Sequence, residues 1–196
     1  MKESIRPSEI AFDIDGVVAD TMAVFVQLAH ERYGLTHLTK EDLRCFNLYD
    51  CLKVDRSIVD DLICLTLDDE HTLLAPPVPG ADLVLSRLAL HGPLRFVTAR
   101  IWPDSVIRWL HRNLPAVAPE SIQVVATGDP EAKADVLQNM GIRYFVDDRL
   151  ETCRQLALQG FRPLLFDQPW NRQPSGDEFP RIRTWGQLAG WFDGNL

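Results

Sequence analysis

No hydrophobic run in this 196-residue chain is long enough to cross a bilayer, and its first seven residues lack the apolar core of a signal peptide. Cysteines are few, and the four present lack C-x-x-C spacing, so we expect reduced thiols. The five histidines are scattered without the spacing of metal ligands, which argues against a zinc site. Together these absences predict a cytoplasmic protein that has no membrane partner.

Basic residues are in the minority. Lysine and arginine number 20 against 28 aspartates and glutamates, which gives a formal net charge of -8. A protein that wraps a long polyanion relies on clustered lysine and arginine, so a long nucleic acid is not the expected partner. A small phosphorylated metabolite in a local pocket is compatible with this charge. The length fits one domain with a small insertion, and we expect a monomer or a homodimer.

Short apolar runs alternate with helical patterns along most of the chain. The runs cover residues 9–13, 94–98, 122–126, 143–146 and 163–166, and the helical patterns cover 81–91, 103–113, 131–140 and 150–159. This alternation indicates an α/β protein with a parallel sheet covered on both faces. In such sheets the ligand binds beyond the carboxyl ends of the strands, so the residues that close each strand are the candidates for a site.

Residues 21–75 interrupt this alternation. They show helical patterns at 22–33, 40–46 and 57–67 and no strand pattern, which predicts a helical insertion. A proline-rich segment at 76–80 marks the return to the main domain. Near the end of the chain, the polar composition of residues 168–180 predicts a surface loop, followed by Ile182 and a last helix from Trp185.

Two aspartates follow the first predicted strand. Asp13 and Asp15 are two residues apart, so on an extended backbone their side chains start on the same side, and Gly16 then allows a turn. Paired carboxylates bind a hard cation, and one of them can attack phosphorus while the other transfers protons. A polar turn that merely closes the strand explains the pair equally well.

Polar residues also close the second strand and open a later helix. The segment Thr98-Ala99-Arg100 precedes a predicted helix, where a hydroxyl, free backbone N–H groups and the helix dipole favour an oxyanion. Lys133 lies early in another predicted helix and can supply positive charge to phosphoryl oxygens. The alternatives are a helix cap with a solvated arginine, and an ordinary surface lysine.

Adjacent acids close the fourth predicted strand. Asp147 and Asp148 follow an apolar run, and two carboxylates at that place are unfavourable unless a cation or solvent compensates them. A divalent ion explains the pair. A charged start to the next helix, favoured by the helix dipole, is the alternative.

Taken in order along the chain, these signatures resemble those of the haloacid dehalogenase superfamily of phosphatases and phosphotransferases. They are the Asp13-Ile14-Asp15-Gly16 turn, Thr98, Lys133 and the Asp147-Asp148 pair. The resemblance covers residues 9 to about 166. It implies a doubly wound, mainly parallel Rossmann-like core made of residues 1–20 and 76–196, with residues 21–75 as a small α-helical cap inserted after the first strand.

The same resemblance implies roles for the residues. Asp13 is implied as the nucleophile that forms an aspartyl-phosphate, and Asp15 as the acid for the leaving group and then the base for water. Superfamily members that cleave carbon–halogen bonds lack an acid at that second position. The residues expected to hold the phosphoryl group are Thr98, Ala99, Arg100 and Lys133. The residues expected at Mg²⁺ are Asp13, Asp15 through its carbonyl, Asp148, and Asp147 as an indirect partner.

A narrower resemblance concerns residues 12–21 and 166–172, which look similar to the bacterial relatives of cytosolic 5'(3')-deoxyribonucleotidases. The Thr98-Ala99-Arg100 segment departs from the Thr-Ser-Pro type of the animal enzymes, which leaves the substrate open. In a capped phosphatase the insertion selects the leaving group. Its aromatic residues, which either stack on a base or fill the core of the cap, are Phe25, Tyr33, Phe46 and Tyr49.

The loop Pro169-Trp170-Asn171-Arg172 follows the fifth predicted strand, at the same edge of the sheet as the candidate catalytic residues. It is therefore expected to border the site. The indole of Trp170 is predicted to pack and stabilise this loop.

The predicted function is a Mg²⁺-dependent phosphomonoester hydrolase that acts on a nucleoside or deoxynucleoside monophosphate. One alternative is a polynucleotide 3'-phosphatase, because Val146-Asp147-Asp148-Arg149 before a helix resembles that branch as well. Another small-metabolite phosphatase is a further alternative. A protein that keeps the fold as a binding module without turnover is the alternative from a different class, and the complete set of acids argues against it.

Overall fold

A computed structural model describes residues 4–172 and 178–192. Within these residues one sheet of six parallel strands has the order β3-β2-β1-β4-β5-β6. The predicted α/β, doubly wound, parallel architecture is confirmed. The strands are β1 (Ile10–Phe12), β2 (Leu94–Thr98), β3 (Ile122–Ala126), β4 (Tyr144–Asp147), β5 (Arg162–Phe166) and β6 (Arg181–Ile182).

Helices connect the strands, and none in the described ranges is long and apolar enough to span a membrane. The α-helices are α1 (Thr21–Tyr33), α2 (Arg56–Thr66), α3 (Asp69–Thr72), α4 (Ala81–Leu88), α5 (Asp104–Asn113), α6 (Lys133–Asn139), α7 (Leu150–Leu158) and α8 (Trp185–Ala189). Short 3-10 turns lie at Pro7–Glu9, Lys40–Asp42, Leu48–Asp50, Ala89–His91, Pro119–Ser121, Pro130–Ala132 and Pro169–Asn171.

Successive strand residues point to opposite faces of the sheet, and helices pack against both faces. Phe12 and Phe96 belong to a core that includes side chains of α4, α5 and α8, and the Phe12 ring lies 5.3 Å from that of Trp185. Ala11 and Phe145 belong to a separate core with α6 and α7. The central strand β1 is therefore apolar at every position and fully buried.

Residues 21–75 carry α1, α2 and α3 and no strand of the sheet. The region is tied to the rest of the molecule at its end, where the indole N–H of Trp109 on α5 donates to the Ala75 carbonyl at 2.7 Å. The division into a core of residues 1–20 and 76–196 and a cap of residues 21–75 stays a prediction.

Local differences from the predicted elements are few. The helix predicted at 40–46 is only a 3-10 turn, Lys40–Asp42. The turn ends because Leu43 leaves helical geometry, with φ -79° and ψ 66°, and its side chain is fully buried. Strand β6 was not predicted, since a two-residue strand has no detectable alternation. Of the loop predicted at 168–180, residues 173–177 lie outside the described ranges.

Candidate active site

The carboxyl ends of the parallel strands open into one cavity of about 400 Å³. Loops after β1, β2 and β4 and the start of α6 contribute to its wall. All the site residues predicted from the sequence line it, although they are far apart in the chain. They are Asp13, Asp15, Thr98, Ala99, Arg100, Lys133, Asp147 and Asp148.

The loop after β1 brings its carboxylates to this cavity through a tight turn. The backbone N–H of Asp13 still bonds to the Val146 carbonyl of β4 at 2.9 Å, so Asp13 is fixed by the sheet. Gly16 has φ +74°, a conformation that side chains disfavour. A Cβ at Gly16 would also overlap the carboxylate of Asp148. Only glycine therefore lets the turn pass so close to Asp148.

Lys133 is a buried cation between two carboxylates. Its Nζ lies 3.0 Å from Asp13 Oδ2 and 2.8 Å from Asp147 Oδ2. Burial lowers the pKa of Lys133, but the negative charges of Asp13 and Asp147 more than offset this, so that the net pKa is raised. The lysine is charged and is aimed at the predicted nucleophile.

Three carboxylates form a buried acidic cluster, Asp13, Asp147 and Asp148, in which one oxygen of each lies within 4.8 Å of the others. Desolvation raises the pKa of Asp13 to about 7, against the opposing charge of Lys133. Desolvation and the charge of Asp147 raise the pKa of Asp148 well above its usual range. Such a cluster of oxygens with surplus negative charge suits a hard divalent cation.

A loop after β5 holds Asp148 in place. The indole N–H of Trp170 donates to Asp148 Oδ2 at 2.8 Å, and the Asn171 amide donates to the Asp148 carbonyl at 2.7 Å. The side-chain amide of Gln168 donates a hydrogen bond to the Gly16 carbonyl at 2.5 Å. Trp170 also lines the cavity, so this loop borders the site as its position in the chain predicts. Its bond to Asp148 was missed, because only the packing of the indole was expected.

Asp15 is bound on both carboxylate oxygens. Arg100 donates from Nη2 to Oδ1 at 2.7 Å and from Nε to Oδ2 at 2.9 Å, and the Thr21 hydroxyl donates to Oδ1 at 2.5 Å. Burial raises the pKa of Asp15, but the hydrogen bonds and charge of Arg100 and the Thr21 hydroxyl outweigh it and lower the pKa overall. Asp15 is therefore ionised in this arrangement.

The remaining guanidinium nitrogen of Arg100 also has partners. Nη1 contacts the hydroxyl of Thr72 on α3 and lies 3.4 Å from the Leu67 carbonyl. The phosphate role predicted for the Arg100 side chain would thus require the guanidinium to leave Asp15. Nothing in the sequence signals this contact, since Thr21 and Thr72 look like ordinary helix residues.

Thr98 closes β2 at the floor of the cavity. Its side chain is buried, and its hydroxyl accepts the Arg100 backbone N–H at 3.3 Å. The Thr98 carbonyl accepts the Thr127 N–H at 2.9 Å, which ties the ends of β2 and β3 together. The Thr98 hydroxyl and the backbone of residues 98–100 therefore line the same cavity as the acids, as expected of an anion-binding loop.

The apolar lining of the cavity, called the apolar wall below, comes largely from residues 22–67. Of the aromatics considered above, Phe46 lines the cavity with its ring beneath the guanidinium of Arg149 at 4.9 Å. Phe25 is buried in the core, and the hydroxyls of Tyr33 and Tyr49 bind acids of α2. The apolar residues of this wall are Met22, Cys45, Phe46, Leu48, Ile63 and Leu67.

Comparison with known proteins gives a match over nearly the whole chain. The model of a family described as "5' nucleotidase, deoxy (Pyrimidine), cytosolic type C protein" matches residues 6–190. A nucleotidase of Clostridium acetobutylicum is 22% identical over 187 residues, which cover 94% of this chain and 93% of that protein.

Solved structures show the same fold. A haloacid dehalogenase family hydrolase of Deinococcus radiodurans with bound phosphate and sodium has a TM-score of 0.60 at 15% identity, and the match covers 97% of this chain and 100% of that one. A haloacid dehalogenase-type structure from Bacillus subtilis bound to magnesium has a TM-score of 0.60 at 15% identity, over 92% and 96% of the two chains. Together with the family match over residues 6–190, these structures confirm the superfamily resemblance predicted from the sequence.

Proposed function

The chain belongs to the family of cytosolic type C 5'-nucleotidases, and on that premise we propose that it hydrolyses nucleoside or deoxynucleoside monophosphates through an aspartyl-phosphate on Asp13, with Mg²⁺ as cofactor. It is a hydrolase with phosphatase chemistry. The observation that carries the finer proposal is the cluster in which Asp13 lies beside Lys133 and the Asp147-Asp148 pair, within the cavity that Asp15 also lines.

In the first step an oxygen of Asp13 attacks phosphorus. The Asp13–phosphorus bond forms and the bond from phosphorus to the leaving oxygen breaks. Asp15 gives a proton to that oxygen, which requires that Arg100 has first left one oxygen of Asp15 and that this oxygen has been protonated. In the second step Asp15 takes a proton from water while the water oxygen attacks phosphorus. The Asp13–phosphorus bond then breaks and phosphate leaves, so both aspartates return to their starting states.

The phosphoryl oxygens need donors and positive charge. Lys133 lies 3.0 Å from the nucleophile and supplies the charge, while the Thr98 hydroxyl, which accepts from the Arg100 N–H, and the backbone N–H of Ala99 can donate hydrogen bonds. The Arg100 guanidinium holds Asp15 as a carboxylate, so it must leave Asp15 before Asp15 can carry a proton.

The acidic cluster fits Mg²⁺ because it consists of carboxylate oxygens whose surplus negative charge is buried. Asp13, Asp148 and the Asp15 carbonyl would hold the ion, with Asp147 acting through Lys133 or a water. Bound there, Mg²⁺ supplies the charge that neutralises the phosphoryl oxygens. The Deinococcus structure with phosphate and sodium and the Bacillus structure with magnesium support this proposal.

The nucleotide preference is supported by family membership and by the apolar wall of the cavity. Phe46 lines the cavity with 57% of its surface exposed, so its ring is open to stacking by a base. Arg149, over the same ring, adds charge at the rim.

The test is release of inorganic phosphate from deoxynucleoside monophosphates in Mg²⁺ and in EDTA, compared with a sugar phosphate and a 3'-phosphorylated oligonucleotide. We expect turnover of the nucleotide in Mg²⁺, little in EDTA, and a loss of about 1,000-fold or more in Asp13→Asn. Asp82→Asn on the exposed start of α4 is the matched control and should keep full activity. Full turnover by Asp13→Asn, or preference for the oligonucleotide, would contradict the proposal.

A further inference from the structure

Two of the four cysteines lie together at the apolar wall. All four are free, and the thiols of Cys45 and Cys51 are in hydrogen-bonding contact. Cys45 lines the cavity, and both residues are only partly buried, so a small reagent can reach them. Burial and the neighbouring Cys51 thiol raise the pKa of Cys45, which favours its protonated form. The pair is therefore a reduced dithiol at rest.

A turn of the backbone brings these two thiols together. The 3-10 turn Leu48–Asp50 lies between them, and the backbone N–H of Cys51 donates to the Leu48 carbonyl at 3.3 Å. The Cys51 thiol turns back over this turn, with its Sγ 3.7 Å from the same carbonyl. Since the sulfur atoms of a disulfide lie about 2 Å apart, thiols already in contact need a further approach on the order of 1–2 Å to bond.

The two ends of segment 45–51 are held unequally. Tyr49 donates its hydroxyl to Asp60 of α2, and Cys51 packs against the larger hydrophobic core, so this end is anchored. Phe46, next to Cys45, is 57% exposed, so fewer packing contacts hold the other end. A bond between the sulfurs should therefore displace Cys45 and, with it, Phe46 of the apolar wall.

The oxidant that forms the bond is a low-molecular-weight disulfide such as glutathione disulfide. One cysteine thiolate attacks a sulfur of the oxidant, forms a mixed disulfide and expels one glutathione thiolate. The other cysteine thiolate then attacks the sulfur of the first cysteine and expels the second glutathione thiolate. The two protein thiols are oxidised, the oxidant is reduced to two thiols, and the two expelled thiolates take up the protons that the cysteines lose.

We propose that Cys45 and Cys51 form a reversible disulfide under oxidation, and that this bond draws Cys45 and Phe46 out of the apolar wall and weakens the binding of a nucleotide. The bond does not depend on the proposed function, whereas its effect on binding rests on it. The acidic cluster lies outside segment 45–51, so kcat should change little.

Mass spectrometry tests the bond, because trypsin leaves both thiols in one peptide. Cleavage after Arg44 and after Lys53 releases residues 45–53, and Cys64 falls in a different peptide. After treatment with glutathione disulfide and then an alkylating reagent, we expect this peptide to be lighter by two hydrogens and to carry no alkyl group. Two alkyl groups on the treated peptide, glutathione adducts alone, or a cross-link to a second chain would overturn the bond.

Steady-state kinetics test the effect on the site, on protein whose intact mass shows no glutathione adduct. We expect the disulfide form to have a KM for a deoxynucleoside monophosphate about 3- to 10-fold higher, the size expected for loss of stacking on a base. Dithiothreitol should restore the KM of the reduced protein. An unchanged KM in the disulfide form would overturn the effect on binding.

Cys51→Ser and Cys64→Ser are the matched variants. Cys51 is not among the residues that line the cavity, so Cys51→Ser should keep the KM of the reduced protein and lose the response to oxidation. Cys64 is exposed on α2, so Cys64→Ser should respond as the wild type does. A response kept by Cys51→Ser or lost by Cys64→Ser would overturn the proposal.

Failure of the proposed function gives a different result. A reduced wild-type protein that releases no phosphate from the nucleotide would overturn that function, while the mass of peptide 45–53 would still report whether the disulfide forms.

Discussion

At the scale of single residues, the site depends on contacts that sequence spacing does not encode. The type and order of the acids were enough to predict that Asp13 and Asp148 share a site. The bonds from Trp170 to Asp148 and from Arg100 to Asp15 depend on side-chain directions set by loops that are distant in the chain. Local patterns carry no information about those directions, which is why both contacts were missed.

Gly16→Ala should be strongly destabilising because it combines an unfavourable φ with an overlap on Asp148. We expect the free energy of unfolding to fall by about 3 kcal/mol or more in urea denaturation. Gly34→Ala is the matched control, since Gly34 also has positive φ, +64°, but a Cβ there meets no atom within 4 Å. It should lower the free energy by only about 1 kcal/mol. Equal losses would show that the overlap with Asp148 does not matter.

At the scale of elements, the sequence predicted the bounds of the strands better than the helices of the inserted segment. Parallel strands are buried on both faces and read as apolar runs, and β2 and β3 have the predicted bounds. Because their carboxyl ends meet at one edge, the topology alone brought the predicted residues to one cavity. The segment after α1 leaves helical geometry at Leu43, whose side chain is buried. The apolar residues of this segment therefore do not follow the spacing of a regular helix.

Phe46 belongs to that irregular segment and gives it a testable role. Phe46→Ala should raise KM for a deoxynucleoside monophosphate about 3- to 10-fold, because stacking on a base is worth about 0.5–1.5 kcal/mol. The kcat should change little, since Phe46 is part of the apolar wall and not of the acidic cluster. Leu90→Ala, at a residue that is 83% exposed and does not line the cavity, is the control. An unchanged KM would exclude stacking on Phe46.

At the scale of the whole molecule, charge and metal binding are linked to stability. The chain carries a formal net charge of -8, and its acidic cluster concentrates three carboxylates against the single charge of Lys133. Buried like charges oppose folding unless a cation compensates them. Electrostatic repulsion among the carboxyl groups of the proposed cofactor site therefore lowers the stability of the folded protein, and a bound cation would reduce this repulsion.

Mg²⁺ should therefore raise the Tm of the protein by about 5 °C or more over EDTA at saturating concentration. Burial raises the pKa of Asp148 well above its usual range, which lowers stability at neutral pH in the absence of a cation. Asp148→Asn removes this cost and also removes a ligand, so it should raise the Tm in EDTA and reduce the increase caused by Mg²⁺. Choline chloride at equal ionic strength is the control for screening. A Tm that does not respond to Mg²⁺ would argue against a metal at this cluster.

The covalent route through Asp13 is the central claim, and rapid-mixing kinetics of Asp15→Asn with p-nitrophenyl phosphate in Mg²⁺ test it most directly. Nitrophenolate leaves without a proton from Asp15, whereas hydrolysis of the aspartyl-phosphate lacks its base. The account predicts a burst of nitrophenolate equal to the enzyme concentration, with inorganic phosphate following slowly. Nitrophenolate and phosphate released together, with no burst, would contradict it.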